Sequence, residues 1–152
     1  MIQNVEVKVN EKSLEISSTK AITGEICFNI ENQFFPESVW NDFVVVILAW
    51  WIEALLDLIK LNSSALREFD FMDGPYLVRG KKIEDDIINL DFVKKRGGEK
   101  TLFSARCSIK QFKNSLLLAS RRVIEIIERE KWDSQETKLL RDLTNRLNSL
   151  EN

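Results

Sequence analysis

Residues Ser38 to Leu61 read SVWNDFVVVILAWWIEALLDLIKL, and the fold turns on how this stretch is taken. It is the most apolar part of the chain. As a helix it places Phe43, Val44, Val45, Val46, Ile47, Leu48, Trp50, Trp51 and Ile52 around nearly every face, with no polar stripe in the middle. Such a helix is buried on most sides, in a protein core or in a membrane. A bilayer span needs roughly 20 apolar residues, and Asp42 and Glu53 bracket a far shorter run, so a core helix is expected. The β-branched run Val44 to Ile47 would also suit a strand. Glu53, Asp57 and Lys60 favour the helix, because at helical spacing they gather on one wetted edge. Pro36 is expected before or within the first turn, Ser38 as the cap, and Asn62-Ser63-Ser64 as the stop. That reading makes both Trp50 and Trp51 core residues.

Outward from this helix, the period of the pattern changes. Val5, Val7 and Val9 alternate with Glu6, Lys8 and Asn10, the mark of a half-buried strand. Leu14 and Ile16 continue it across a turn at Asn10-Glu11. A clearer strand, with Ile26, Phe28 and Ile30 on one face, is expected after Gly24. Beyond the helix, Phe69 and Phe71, then Tyr76 to Val78, then Ile88, Leu90 and Phe92, then Phe103, Ala105, Cys107 and Ile109 read as successive strands. Turn signals at Asp73-Gly74-Pro75, Gly80-Lys81-Lys82 and Arg96-Gly97-Gly98-Glu99 separate them, so residues 66–108 read as an antiparallel meander.

At Ser108 the pattern becomes helical. Ser108 to Gln111 has capping-box spacing, and Phe112, Leu116, Ala119, Val123, Ile126 and Ile127 follow at helical intervals to about Trp132. Asp133 to Glu136 caps a second helix with a seam of Leu140, Leu143, Leu147 and Leu150. The expected fold is α+β in one domain over 1–152: strands in 2–31, a helix over 38–61, the meander over 66–108 and helices over 109–150. An antiparallel sheet of about six strands would be covered by the hydrophobic helix and the C-terminal pair.

Composition narrows the chemistry. The chain has 152 residues, 44% hydrophobic and 30% charged, with 5 Gly and 2 Pro, which suits a folded domain. A net charge of −2 and a pI near 5.4 give no push toward nucleic acid or anionic membrane. MIQNVEVKVN lacks the basic start and apolar run of a signal peptide, so a cytoplasmic location is expected. Cys27 and Cys107, far apart among apolar neighbours, read as buried free thiols. The chain contains 0 His. That excludes Ser–His and Cys–His dyads, a histidine base and histidine-containing zinc sites.

The acidic residues of the meander are the leading candidates for function. Asp70, Asp73, Tyr76, Glu84, Asp85, Asp86 and Asp91 are assigned to a partner-binding surface, with Asp70 and Asp91 sharing the outer sheet face. Clustered carboxylates would also suit Mg²⁺ in a metal-dependent hydrolase. No Asp…Glu-x-Lys arrangement of the common nuclease kind stands out, calcium loops of the D-x-D-x-D-G type are absent, and no cofactor is expected. The basic turn Lys94 to Lys100 reads as a charged hairpin tip, and Arg121-Arg122 with Glu125 and Glu128 as an ion-paired helix surface. Trp40, Trp50 and Trp51 would line a pocket if the chain binds an apolar ligand. The leucine seam offers a homodimer contact if it does not pack at home.

The stretch FPESVWNDFVVVILAWWIEAL followed by FDFMDGPY resembles small bacterial proteins of the toxin-immunity type. The resemblance covers Ile26 to Val78. It implies a cytosolic, single-domain, non-enzymatic protein that binds and blocks a cognate toxin, and it carries no catalytic residues over.

Overall fold

The computed structural model describes residues 1–150. The opening alternation forms β1 (Val5–Val9), a one-turn 3-10 insert (Glu11–Ser13), β2 (Glu15–Ile16) and β3 (Ile22–Ile30). β1 and β2 pair antiparallel with successive halves of β3, so the first strand does continue across a turn at Asn10-Glu11. β3 starts before Gly24 rather than after it. Glycine sits inside the strand because its neighbours lie against the backbone: a Cβ there would be 2.6 Å from Leu14 Cδ2 and 3.3 Å from Val44 Cγ2. β4 (Gln33–Phe35) and β5 (Asn41–Asp42) also pair with β3. Because β1 and β4 share partners Phe28 to Ile30, they flank β3 on opposite edges.

The central helix, α1, spans Val44–Lys60, so the expected start at Ser38 is corrected. The residues before it belong to the sheet. The Trp40 C=O accepts the Ile26 N–H at 2.9 Å, and Asn41 and Asp42 pair with Glu25 and Gly24. Bonds to β3 therefore take the backbone that a first helical turn would have used. Pro36 lies in the preceding loop, after a cis peptide bond, and Ser38 caps nothing. The stop is as expected, with Leu61 extended beyond Lys60.

Trp51 is fully buried, but Trp50 is 39% exposed. Trp50 falls in line with Val46, Glu53, Asp57 and Lys60 along the one edge of α1 that is not packed. The helical spacing that placed the charges outside places Trp50 there as well.

The meander is β6 (Leu66–Asp70), β7 (Tyr76–Glu84), β8 (Ile87–Lys94) and β9 (Lys100–Ser108), antiparallel in that order. Its bounds are those read from sequence. The turns at Asp73-Gly74-Pro75 and Arg96 to Glu99 are present, with Gly74, Gly97 and Gly98 at positive φ. Gly80-Lys81-Lys82 is not a turn: it lies within β7. Gly80 is there because Phe69, Ile88 and Leu58 of α1 close over it, the first two within 3.0 Å of a built Cβ. Lys82 is buried and donates its Nζ to the Ile59 and Leu61 carbonyls at 3.2 and 2.8 Å, closing the C-terminus of α1. The described residues thus form nine strands in two sheets, against an expectation of about six in one.

The C-terminal helices are α2 (Ile109–Glu130) and α3 (Gln135–Ser149). Ser108 caps α2 through the Gln111 N–H, Lys131 ends it in the left-handed conformation, and Ser134 with Thr137 forms a capping box on α3. Leu140, Leu143 and Leu147 are buried within the chain, so these residues of the seam pack at home. One apolar cluster joins all these parts. Phe28 of β3 stands at its centre: its ring lies 4.6 Å from Trp51 of α1, 5.8 Å from Phe92 of β8 and 6.1 Å from Phe112 of α2. Among the described residues, no helix is long and apolar enough to cross a membrane.

Candidate interaction surface

Strand alternation sorts the meander into two faces. Phe69, Val78, Gly80, Ile88, Leu90, Phe92, Ala105 and Cys107 point into the core. The opposite face is ordered by register. Leu66, Lys81, Asn89 and Arg106 form one row, Glu68, Arg79, Asp91 and Ser104 the next, and Asp70, Leu77, Val93 and Thr101 the third. Asp70 and Asp91 do share this outer face, as their alternation with Phe71 and Phe92 implies.

The face is mixed in sign rather than acidic. Arg79 lies at its middle, bonded to Glu68 at 2.8 Å and to both carboxylate oxygens of Glu99 at 3.1 Å. The hydrogen bonds from Arg79 hold the Glu99 carboxyl below the usual carboxylate range. Asp91 accepts from Ser104 Oγ at 2.6 Å and from Asn89 Nδ2 at 3.0 Å. Partial burial pushes the Asp70 carboxyl up, the Glu68 charge adds to this, and Lys95 and Arg79 oppose it. Leu77 and Val93 are buried on this outer face, apart from the main cluster. Glu99 draws the β8–β9 hairpin back toward them through Arg79, so the basic turn read from sequence is tied to the face beside it.

The other assigned residues lie elsewhere. Asp73 and Tyr76 are at the β6–β7 turn. Tyr76 packs edge-on against Trp40 at 5.3 Å and Phe35 at 5.5 Å, with the Lys94 ammonium 5.9 Å from its ring centre. Glu84, Asp85 and Asp86 lie at the far end of β7, roughly 27 Å away at the usual strand rise. Asp86 serves the architecture, since its carboxylate accepts from Ser108 Oγ at 2.7 Å and the Lys110 N–H at 3.0 Å, at the start of α2. The seven residues are therefore divided among one sheet face and two opposite ends. No group of three or more Asp, Glu, Cys or His side chains suited to a metal ion occurs among the described residues. The carboxylates of the hydrolase reading do not converge.

The three tryptophans do not meet in a pocket. Trp51 is in the core, donating to the Asp70 C=O at 2.8 Å, Trp40 is half-buried and Trp50 faces solvent. Arg121 and Arg122 pair across elements, with Asn148 and Glu11, and not with Glu125 and Glu128 along their own helix. Both cysteines are free and buried, and burial pushes their thiols up, Cys27 to about 11 and Cys107 to about 12.

Sequence reasoning missed the role of Asp42. This carboxylate is fully buried and accepts from Trp40 Nε1 at 3.0 Å, the Phe43 N–H at 2.7 Å and the Asp73 N–H at 3.2 Å. It joins β5, the start of α1 and the β6–β7 turn. An acid directly before a long apolar run was the available signal, since helix N-termini favour negative charge.

No protein-family model matches this chain, and the comparisons with curated proteins and with solved structures returned no match.

Proposed function

We propose that this protein acts by binding another protein, as an immunity-like inhibitor binds its toxin, and that the outer face of the meander is the contact surface. One observation carries the reading: the core elements pack on the inner face, while the outer face presents exposed Leu66, Lys81 and Arg106 beside an ordered Glu68–Arg79–Glu99 network. A surface of apolar and charged groups held in a fixed register suits selective recognition of a macromolecule. Complementary charge would set its specificity and speed its association. Asp70 and Asp91 belong to that surface, Asp73 and Tyr76 to one rim, and Glu84, Asp85 and Asp86 to the other.

The test is affinity capture from the native host at low salt, followed by titration of the recovered protein. The expected result is a stoichiometric partner whose association slows at least tenfold when Lys81→Glu and Arg106→Glu are combined. Recovery of no stoichiometric partner, or of one indifferent to that double change, overturns the reading.

A further inference from the structure

Helix α2 runs beside the free edge of β1, and the two keep step. Four helical residues rise ~6.0 Å and two strand residues ~6.6 Å. The Gln111 side chain therefore meets Val5: its Oε1 accepts the Val5 N–H at 3.2 Å and its Nε2 donates to the Val5 C=O at 2.8 Å. One turn on, Ser115 Oγ accepts the Val7 N–H at 2.7 Å, and at the far end Arg122 reaches Glu11 at 3.0 Å. Gln111 serves Val5 as a neighbouring strand would.

At the intervening position the series breaks. The Ala119 side chain has no polar atom to offer Val9, and both residues line a groove of about 690 Å³. The Val9 backbone points to that side: Asn10 bonds β3 through its N–H to the Glu25 C=O, and Ile26, opposite Val9, sends its own N–H the other way, to Trp40. Among the described residues, no hydrogen bond is made to the Val9 N–H or to the Val7 and Val9 carbonyls. These groups are placed as the edge of a sheet is placed for strand addition, in which backbone bonds give affinity and side-chain contacts give selectivity. Leu118, 53% exposed, supplies an apolar wall. Glu6 and Glu11 stand against Lys8, Lys110 and Arg122 around the groove, a mixed field that does not suit a phosphate-bearing ligand.

We propose that this groove takes an extended peptide segment of a partner protein, one backbone amide clamping Val9 as Gln111 clamps Val5, with an apolar side chain against Leu118. The proposal is independent of the outer-face reading, because the two surfaces share no residue.

The experiment pans a phage-displayed library of random linear peptides against the full chain, then titrates a synthetic copy of the enriched sequence. Ala119→Gln is the first variant, since its side chain would supply the clamp from within. Leu118→Asp, at an exposed position, is the second. Both should weaken the peptide at least tenfold, and the peptide should slow hydrogen exchange at the Val9 amide. The Lys81→Glu, Arg106→Glu protein should bind the peptide unchanged, which separates failure here from failure of the outer-face reading. Enrichment of no peptide, undiminished binding to both variants, or unaltered exchange at Val9 overturns the proposal.

Discussion

Trp50 and Trp51 are adjacent and chemically identical, yet one faces water and the other the core. Trp51→Ala should cost about 3–5 kcal/mol, the usual cost of truncating a large buried aromatic, and it also removes the donor to the Asp70 C=O. Trp50→Ala should cost less than about 1 kcal/mol, in the range of surface changes. Urea midpoints of the two variants measure the difference. Asp42→Ala would leave three N–H donors without their acceptor. At about 1–3 kcal/mol per buried orphan, a loss of at least ~3 kcal/mol is expected by the same denaturation, with altered Trp40 fluorescence.

Asp70 supplies a pH test. Its carboxyl is raised in the folded protein, so the native state holds the proton to higher pH than the unfolded chain does. The resulting contribution favours folding below the ordinary value of 3.8 and is lost as pH rises through the raised one. Asp70→Asn should therefore gain most relative to the parent near neutral pH, and the gain should shrink toward pH 3.8, read from urea midpoints across that range. Glu99 has the opposite sign: its bond to Arg79 contributes above its ordinary 4.5 and is lost as pH falls below it.

At the scale of elements, the ends of helices are closed from a distance. Lys82 of β7 closes α1, Lys113 of α2 donates to the Leu150 C=O at 2.6 Å, and Asp86 of the β7–β8 turn holds the start of α2. Each tie fastens a helix to a different element, so losing one loosens a joint as well as a cap. Lys82→Met keeps the apolar stem and removes the donor. It should lower stability by about 1.5–3 kcal/mol, a hydrogen bond from a charged group being worth more than a neutral one. Hydrogen exchange should accelerate first in the last turn of α1. Gly80 belongs to the same scale. Read alone, Gly80-Lys81-Lys82 is turn chemistry, and only the closeness of Phe69, Ile88 and Leu58 makes it strand.

At the scale of the molecule, the two thiols report different openings. Cys107 lies within the core cluster, while Cys27 lies on the outer side of β3, beside Phe34 of β4 and Val39 of the loop that leads to β5. Thiol labelling at neutral pH should reach Cys27 through local opening of that loop. It should reach Cys107 only through global unfolding, at a rate that rises with urea as the unfolding rate does. Mass spectrometry of the two labelled peptides separates them. Equal labelling rates in the absence of urea would show that the core opens as easily as the loop.

The sequence alone determined what local period and turn chemistry can carry. The meander from Leu66 to Ser108, the two C-terminal helices with their serine caps, the wetted edge of α1 and the α+β class all rest on neighbours in the chain. Only the tertiary structure decided where distant backbones meet. Residues 40–42 went to β3 because its edge offered bonds that a helical turn would otherwise have made. Gly80 stayed in a strand because α1 lies over it, and the assigned acids divided because β7 is long and its two ends are far apart. Spacing along a chain reports which face a side chain takes, whereas pairing between segments far apart in sequence depends on the whole packed core.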